Sequence, residues 1–453
     1  MNIIVLGAGR VGYNVAKNLV ARQNNVTVID NNSARLNAVS NAIEVRQIFG
    51  HAADPNVLEQ ADAANADVLV AVTNVDEINL VACEVANLLF DIETKIARIR
   101  QQHYLLEKYK LALFHSKNLS VNYVISPEIE IAKSISKSIK THGASYITDL
   151  LGSIQFISVK CNELANIINT PIRLLSNLFP SLSMAVVAIQ RNGQTIIPKS
   201  TETIYPNDQV HIIVPESNVL EAMAAFGYTK QSCKNITIAG YSGVGKVLAA
   251  EIEKQLPDTK LQIIEKNPIY SELNSAVLVN TNFIKGDIFD SAILHEIDMH
   301  DCDSFIAVTE DDTTNVLAAL LAKNNGAKQV MVLLNDLQNS KFITSIGVDS
   351  VVSKHVFTVS SVLRAIRQYK VKSLYSIDDG VELIEIYVSE SSNIIGLQLD
   401  DITTPSQIFI AVLKRNDKIY ICPENFVISV NDCLILVATK EMVYKIEKLV
   451  FGC

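Results

Sequence analysis

The sequence has no Cys-x-x-Cys pair, no excess of basic residues, and no apolar run near the ~18–20 residues that a membrane span needs. Each absence excludes something. Lys and Arg number 39 against 48 Asp and Glu, a net charge of −9, which argues against non-specific binding to nucleic acid or anionic lipid. The seven cysteines, at 83, 161, 233, 302, 422, 433 and 453, are odd in number and match no metal or redox spacing. They read as reduced, mostly buried thiols of a reducing cytoplasm. The chain opens Met1-Asn2-Ile3-Ile4-Val5-Leu6-Gly7, straight into a strand pattern with no basic region before it, so no signal peptide is expected. Action at a membrane would then need a membrane-embedded partner.

Catalytic constellations are also missing. There is no His-Glu-x-x-His, no Gly-x-Ser-x-Gly, no zinc-ligand spacing and no Cys/His pairing, and the eight histidines are scattered. Glu310-Asp311-Asp312 reads as an acidic helix start rather than a metal site. No catalytic residue and no metal ligand is assigned. What remains is ordinary globular composition, 49% apolar and 19% charged over 453 residues, with no sign of disorder. Single cores rarely grow past about 250–300 residues, so at least two domains are expected.

The chain repeats itself. Ile3-Ile4-Val5-Leu6-Gly7-Ala8-Gly9-Arg10-Val11-Gly12 returns in outline as Ile236-Thr237-Ile238-Ala239-Gly240-Tyr241-Ser242-Gly243-Val244-Gly245. Val28-Ile29-Asp30 returns as Ile263-Ile264-Glu265, and Ala71-Val72-Thr73 as Ala307-Val308-Thr309. Asp76 and Asn79 then match Asp312 and Asn315. The spacing between copies is nearly constant, as a duplication requires. A second repeat follows each of these: Ala188–Gln194 matches Val412–Lys418, and Pro206-Asn207-Asp208 matches Val430-Asn431-Asp432. The order is large unit, small unit, large unit, small unit. The boundaries are set at 1–142, 143–229, 230–367 and 368–453.

In the first large unit, strands are expected near 2–6, 26–30, 44–48, 67–72, 95–99 and 121–125, alternating with helices. Such alternation implies right-handed crossovers and a parallel sheet, and continuously apolar strands imply cover on both faces. The fold class is α/β, two Rossmann-like doubly wound domains, each followed by a small α+β domain. Ser126-Pro127-Glu128 opens a helix with hydroxyl cap, proline and acid in turn; Ser353 opens its match. These helices either pack on their own domain or cross to a partner subunit. In the small units, Asn192-Gly193 between alternating runs marks a two-residue hairpin.

Gly7-x-Gly9-x-x-Gly12 follows a strand and opens a helix, and Asp30 closes the second strand. The glycines permit a tight turn and close approach of a pyrophosphate, and the helix N-terminus offers unpaired N–H groups to it. Asp30 would accept hydrogen bonds from the adenosine ribose and repel a 2′-phosphate. That fits NAD(H), ADP and ATP equally. The alternative is a glycine turn that only packs helix on sheet. Thr73 and Asn74 should reach the same crevice or cap the following helix. Arg98 and Arg100, two apart on the fifth strand, need anions: a nucleotide phosphate or structural carboxylates. The second copy keeps Gly240 and Gly245 but puts Ser242 at the glycine that admits phosphate, and it lacks the arginines. It reads as a weaker site, a site for another ligand or a structural relic. Gly240 to Lys246 nearly spells a P-loop, but Val247 stands where the Mg²⁺-binding hydroxyl belongs.

These features together resemble one family, over essentially the whole chain: the peripheral regulatory subunits of bacterial Trk-type potassium-uptake systems, with tandem RCK-N (KTN) and RCK-C domains. The resemblance rests on the domain order, the Gly7–Gly12 turn, Asp30, Ala71-Val72-Thr73-Asn74 and Ala97-Arg98-Ile99-Arg100. It implies a non-catalytic gating subunit on the cytoplasmic face of the inner membrane. It also implies a homo-oligomer, a tetrameric ring, bound to a Trk-type channel subunit and reading NAD(H), ADP or ATP. Carried over, the first half would bind through Gly7, Ala8, Gly9, Arg10, Val11, Gly12, Asp30, Thr73, Asn74 and Arg98. The second would use Gly240, Tyr241, Ser242, Gly243, Val244 and Glu265. The competing functions are an NAD-dependent oxidoreductase and a nucleotide-binding scaffold for another transporter. The first lacks a visible acid–base group and substrate pocket.

Overall fold

The computed structural model describes the chain except residues 115–117, 230–232, 242, 268–277, 336–339, 367–370, 378–379, 404–406 and 452–453. The chain divides into two compact units, Met1–Pro127 with His355–Ser373, and Glu128–Lys354 with Leu374–Cys453.

The first unit is built on a parallel six-stranded sheet. Its strands are β1 (Asn2–Leu6), β2 (Asn25–Asp30), β3 (Arg46–Phe49), β4 (Val68–Ala71), β5 (Thr94–Arg98) and β6 (Tyr123–Ile125), in spatial order β3-β2-β1-β4-β5-β6. Each lies within a few residues of its expected place. The order reverses between β1 and β4, which is the switch point of a doubly wound sheet. Every residue of β4 is buried, as cover on both faces demands. The helix Arg10–Val20 buries Gly12, Val15, Ala16 and Leu19, a single stripe at helical spacing, against β1.

The matching element from the far end of the chain completes this core. In the helix Lys354–Ile366, Val362, Leu363 and Ala365 are buried among Ile3, Val5, Val15, Leu19, Val70 and Ile96. Asn14 on the glycine-turn helix contacts the His355 ring, 3.2 Å to Nε2. The expectation that these helices stay on their own domain, or cross to a partner subunit, is therefore corrected. The helix of the second half packs on the first half of the same chain. The cause is tertiary: Ser353 fixes where the helix starts, and nothing local fixes which sheet its apolar face covers.

The second unit holds the reciprocal arrangement. The helix Pro127–Lys140 follows the first sheet in sequence, but Ser136 and Lys140 both donate to Gln255 Oε1, at 3.5 and 2.5 Å, on the second half's helix Val244–Gln255. Its Ile131, Ile135 and Ile139 are buried. The parallel sheet there consists of β12 (Asn235–Ala239), β13 (Lys260–Glu265), β14 (Thr281–Lys285), β15 (Ser304–Ala307), β16 (Gln329–Leu334) and β17 (Ser350–Ser353). Its order, β14-β13-β12-β15-β16-β17, repeats the first.

Two antiparallel five-stranded sheets complete this unit. One contains β7 (Ala144–Leu150), β8 (Ile154–Lys160), β9 (Ala185–Arg191), β10 (Gln194–Ile196) and β11 (Gln209–Pro215). The other contains β18 (Val371–Ser376), β19 (Val381–Tyr387), β20 (Ile408–Arg415), β21 (Lys418–Ile421) and β22 (Cys433–Thr439), with the same topology. The expected hairpin is present: Asn192 (φ 50°) and Gly193 (φ 79°) join β9 to β10, and Asn416 (φ 48°) and Asp417 (φ 63°) join β20 to β21. Positive φ at both positions is the primed turn that follows strand twist. Leu150, Phe156, Val187 and Ile213 share one core with Leu383, Val412, Ile435 and Val437, and Tyr146 stacks on Tyr375 at 4.3 Å.

None of the described cysteines forms a disulfide, and burial pushes the Cys83 thiol up to about 12 and that of Cys161 to about 11. No helix of the described residues is long and apolar enough to cross a membrane.

Candidate functional site

The residues singled out in the first half meet at the carboxyl ends of β1, β2, β4 and β5. Gly7 leaves β1 at φ +106°, a conformation that favours glycine, and its N–H is held by Ile29 O at 2.8 Å. Gly9 then caps the helix Arg10–Val20. The cap makes no side-chain hydrogen bond, and there is no acid in the first turn. Those N-terminal N–H groups and their positive end face the mouth of the crevice. A Cβ added to Gly9 would meet nothing within 4 Å, so the turn leaves open space there.

Asp30 is only 8% exposed and is tied into this turn. Its Oδ2 accepts from the N–H of Ala8 at 2.6 Å, and its Oδ1 from that of Asn32 at 2.8 Å. The carboxylate thus joins the glycine turn to the end of β2. Each oxygen keeps further acceptor capacity, which is what a ribose diol needs.

Thr73 lies two residues beyond the end of β4, beside Gly7, and is fixed by Asn79, a residue whose role the sequence did not reveal. Asn79 is fully buried and its Oδ1 accepts from Thr73 N (3.0 Å) and Thr73 Oγ1 (2.7 Å). Its amide donates to Thr73 O (3.3 Å) and Arg98 O (2.9 Å). One side chain thus ties the ends of β4 and β5. Asn315 does the same in the second half, bonding Thr309 N and Oγ1 (2.8 and 2.7 Å), Thr309 O (3.0 Å) and Leu333 O (2.8 Å). The signal was the repeat itself, which paired Asn79 with Asn315. Removing either clamp strands buried backbone groups at roughly 1–3 kcal/mol each. Asn79→Ala is therefore expected to lose about 3 kcal/mol in denaturant unfolding, whereas substitution of the exposed neighbour Asn74 by alanine should leave the midpoint in place.

Asn74 is exposed beyond Thr73. Arg98 is the last residue of β5 and 4% exposed. Arg100 does not share its strand face, contrary to the sequence reading. The strand ends because the buried Asp76 carboxylate takes the backbone N–H of Arg100 (3.0 Å to each oxygen) and of Gln101 (2.8 Å), and the Arg100 side chain is exposed.

The second half builds the same turn. Gly240 (φ +99°) is held by Ile264 O at 2.9 Å, and Glu265 accepts from Tyr241 N and Asn267 N, each at 2.8 Å. Val244 opens the following helix. Ser242 lies outside the described residues. Tyr241, in the place of Ala8, is 2% exposed, and burial pushes its hydroxyl up to about 12. A crevice at the start of the helix Val244–Gln255 is lined by Val244, Thr309, Glu310, Asp312, Asn335 and Lys354 among others. Glu310-Asp311-Asp312 forms a helix start: Asp311 caps Asp312–Asn324 by accepting from Thr314 N at 2.7 Å, and Asp312 takes Asn335 N. Among the described residues, no group of three or more His, Cys, Asp or Glu is placed to hold a metal ion.

The family description "TrkA-N domain" matches residues 3–127 and 236–354, the two parallel-sheet regions. The Trk system potassium uptake protein TrkA of Azorhizobium caulinodans is 32% identical over 451 residues, covering 99% of this chain and 98% of that one. The protein of the same name from Vibrio alginolyticus is 32% identical over 455 residues, with the same coverage of each. In fold the chain is similar to the GsuK channel bound to NAD, with TM-score 0.63 and 16% identity over 99% of this chain and 78% of that one. The two matched regions and the near-complete overlap with these relatives show that the chain belongs to the TrkA family, with its domain pair present twice.

Proposed function

We propose that this chain is the nucleotide-reading regulatory subunit of a Trk-type potassium-uptake system. It binds NAD(H), ADP or ATP and couples that binding to a membrane channel subunit; it does not catalyse a reaction. The observation that carries this reading is the first crevice. There the Asp30 carboxylate, an uncapped helix N-terminus and the open space at Gly9 converge at the sheet's switch point. The relatives named for potassium uptake, and a protein of like fold that holds NAD, supply the context. Gly7, Ala8, Gly9, Arg10, Val11 and Gly12 would cradle the phosphates, Asp30 the ribose, and Thr73, Asn74 and Arg98 the far wall. A ligand gates only if it binds two conformations unequally. A phosphate drawing the Gly7–Gly12 turn toward Arg98 meets that condition. The division at 1–142, 143–229, 230–367 and 368–453 is proposed as the functional order. The proposed assembly is a tetrameric ring of this chain on the cytoplasmic side of the inner membrane.

The test is potassium uptake in cells that keep a Trk channel subunit but lack its regulator. The parent chain should restore uptake, and Asp30→Arg at equal abundance should alter it. Asp30→Asn keeps one acceptor for Ala8 N and so separates the turn's fold from its charge. Loss of a charge-assisted bond to the ribose is worth about 2 kcal/mol, roughly thirtyfold in affinity. Restoration by all three removes Asp30 from the sensing step. Failure by a folded, channel-bound parent overturns the potassium assignment.

A further inference from the structure

The two large domains reach one fold with different side chains at the place where an anion would lie. After Thr73 the first has the neutral Asn74; after Thr309 the second has Glu310. A Cβ added at Gly243 would stand 3.3 Å from Glu310 Oε1, so this carboxylate hangs over the glycine turn. Lys354 holds it there. Its Nζ lies 3.8 Å from Glu310 Oε2 and 3.7 Å from Glu128 Oε1, and its side chain is 12% exposed. Glu128, 2% exposed, comes from the exchanged helix Pro127–Lys140.

The adenosine side differs as well. Tyr241 replaces Ala8, and its buried ring meets Phe283 edge-on at 5.0 Å. Phe283 pairs with Ile263 in the register where the first half pairs the exposed Gln47 with Val28. An aromatic pair thus stands beside Glu265 where the first domain has a methyl group and a solvated amide.

We infer that the second crevice carries its own occupant: Glu310, held by Lys354, stands in for the phosphate, and Tyr241 covers the adenosine side, so nucleotide is read by the first crevice alone. The inference deepens the nucleotide reading and rests on it for what the first crevice holds. The helix N-terminus at Val244 already faces a carboxylate, and an entering phosphate would meet Glu310 at contact range, with the Lys354 ammonium shared with Glu128. The second domain then transmits the state of the crevice in the first without answering to ligand itself.

The experiment is equilibrium dialysis of the full chain against labelled ADP. The parent should bind one equivalent per chain and Asp30→Arg none. In the Asp30→Arg background, Glu310→Asn with Tyr241→Ala, which restores the first domain's residues, should recover one equivalent. An equivalent that persists in Asp30→Arg and is lost on adding Glu265→Arg overturns the inference. No recovery in the combined variant, with melting unchanged from Asp30→Arg, overturns it too. A parent that binds nothing beside a combined variant that binds one equivalent sinks the nucleotide role of the first crevice, and with it the inference that this crevice reads nucleotide, and leaves only Glu310 and Tyr241 as what closes the second. Where the combined variant does not fold, Glu310→Gln keeps the side chain's size and removes only its charge. In the same background it should tighten ADP at least tenfold, and no change overturns the inference.

Discussion

Gly12→Ala is expected to unfold the first domain, while Gly9→Ala three residues earlier leaves its melting where it was. A Cβ at position 12 would lie 1.7 Å from the Gly7 carbonyl oxygen, far inside any van der Waals contact. That oxygen belongs to a residue locked between Ile29 O and the backbone of Thr73, so it cannot yield. Ordinary overpacking costs ~1–3 kcal/mol because side chains shift; here backbone must shift against backbone, and a loss of about 4 kcal/mol or more is expected. Gly9 has φ −68° and nothing within 4 Å of an added Cβ. Alanine there costs the fold little, but its methyl occupies the space a pyrophosphate needs. Denaturant unfolding read beside ADP binding separates the two. Gly12→Ala should lose the folded state, and Gly9→Ala should keep it and lose affinity at least tenfold, about 1.4 kcal/mol. Equal melting of both variants would show that the Gly7–Gly12 approach is not what shapes the turn.

This division of labour among glycines was only partly visible in the sequence. The motif located the turn, and its spacing after a strand located the crevice, because both are local. The six strands of the first sheet were legible for the same reason: apolar runs bounded by turn residues say where a strand is. Which sheet a helix covers is a different question. Ile131, Ile135 and Ile139 announce an apolar face at Pro127–Lys140 but not its partner, and the exchange of that helix with Lys354–Ile366 is settled only by packing. Arg100 was misplaced because period two assumes the strand continues. Asp76, a buried carboxylate on a neighbouring helix, ends it by bonding the backbone two residues past Arg98. Asn79 was visible as a repeated letter and silent about its work, since nothing local announces a clamp between two strand ends.

The repeat Arg-Asn-Gly/Asp with a later Asp held the same kind of hidden information, and it supports a second large effect. Arg191 and Arg415 each leave a β-hairpin strand and grip a buried aspartate. Arg191 Nε and Nη2 bond Asp208 at 2.9 and 2.8 Å, and Arg415 Nε and Nη2 bond Asp432 at 2.8 and 2.7 Å. Asp208 and Asp432 are 2% and 1% exposed, and each also takes a backbone N–H, from Tyr205 and Ser429 respectively. Bidentate bonding of this kind is the strong form of the arginine–carboxylate pair, and the aspartate holds the Arg415 guanidinium above its ordinary value. Arg415→Ala leaves the buried Asp432 carboxyl without its cation. Breaking such a pair costs roughly 3–5 kcal/mol, because the remaining charge keeps its desolvation penalty. The guanidinium is itself 30% exposed, so solvent reaching the site should hold the loss near the lower figure. The paired substitution Arg415→Met with Asp432→Asn removes both charges and keeps an acceptor for Ser429 N. It is therefore expected to be more stable than Arg415→Ala alone in denaturant unfolding. A double variant as unstable as the single one would mean that the loss comes from the Arg415 bond to Val427 O, 2.6 Å long, and not from the stranded carboxylate.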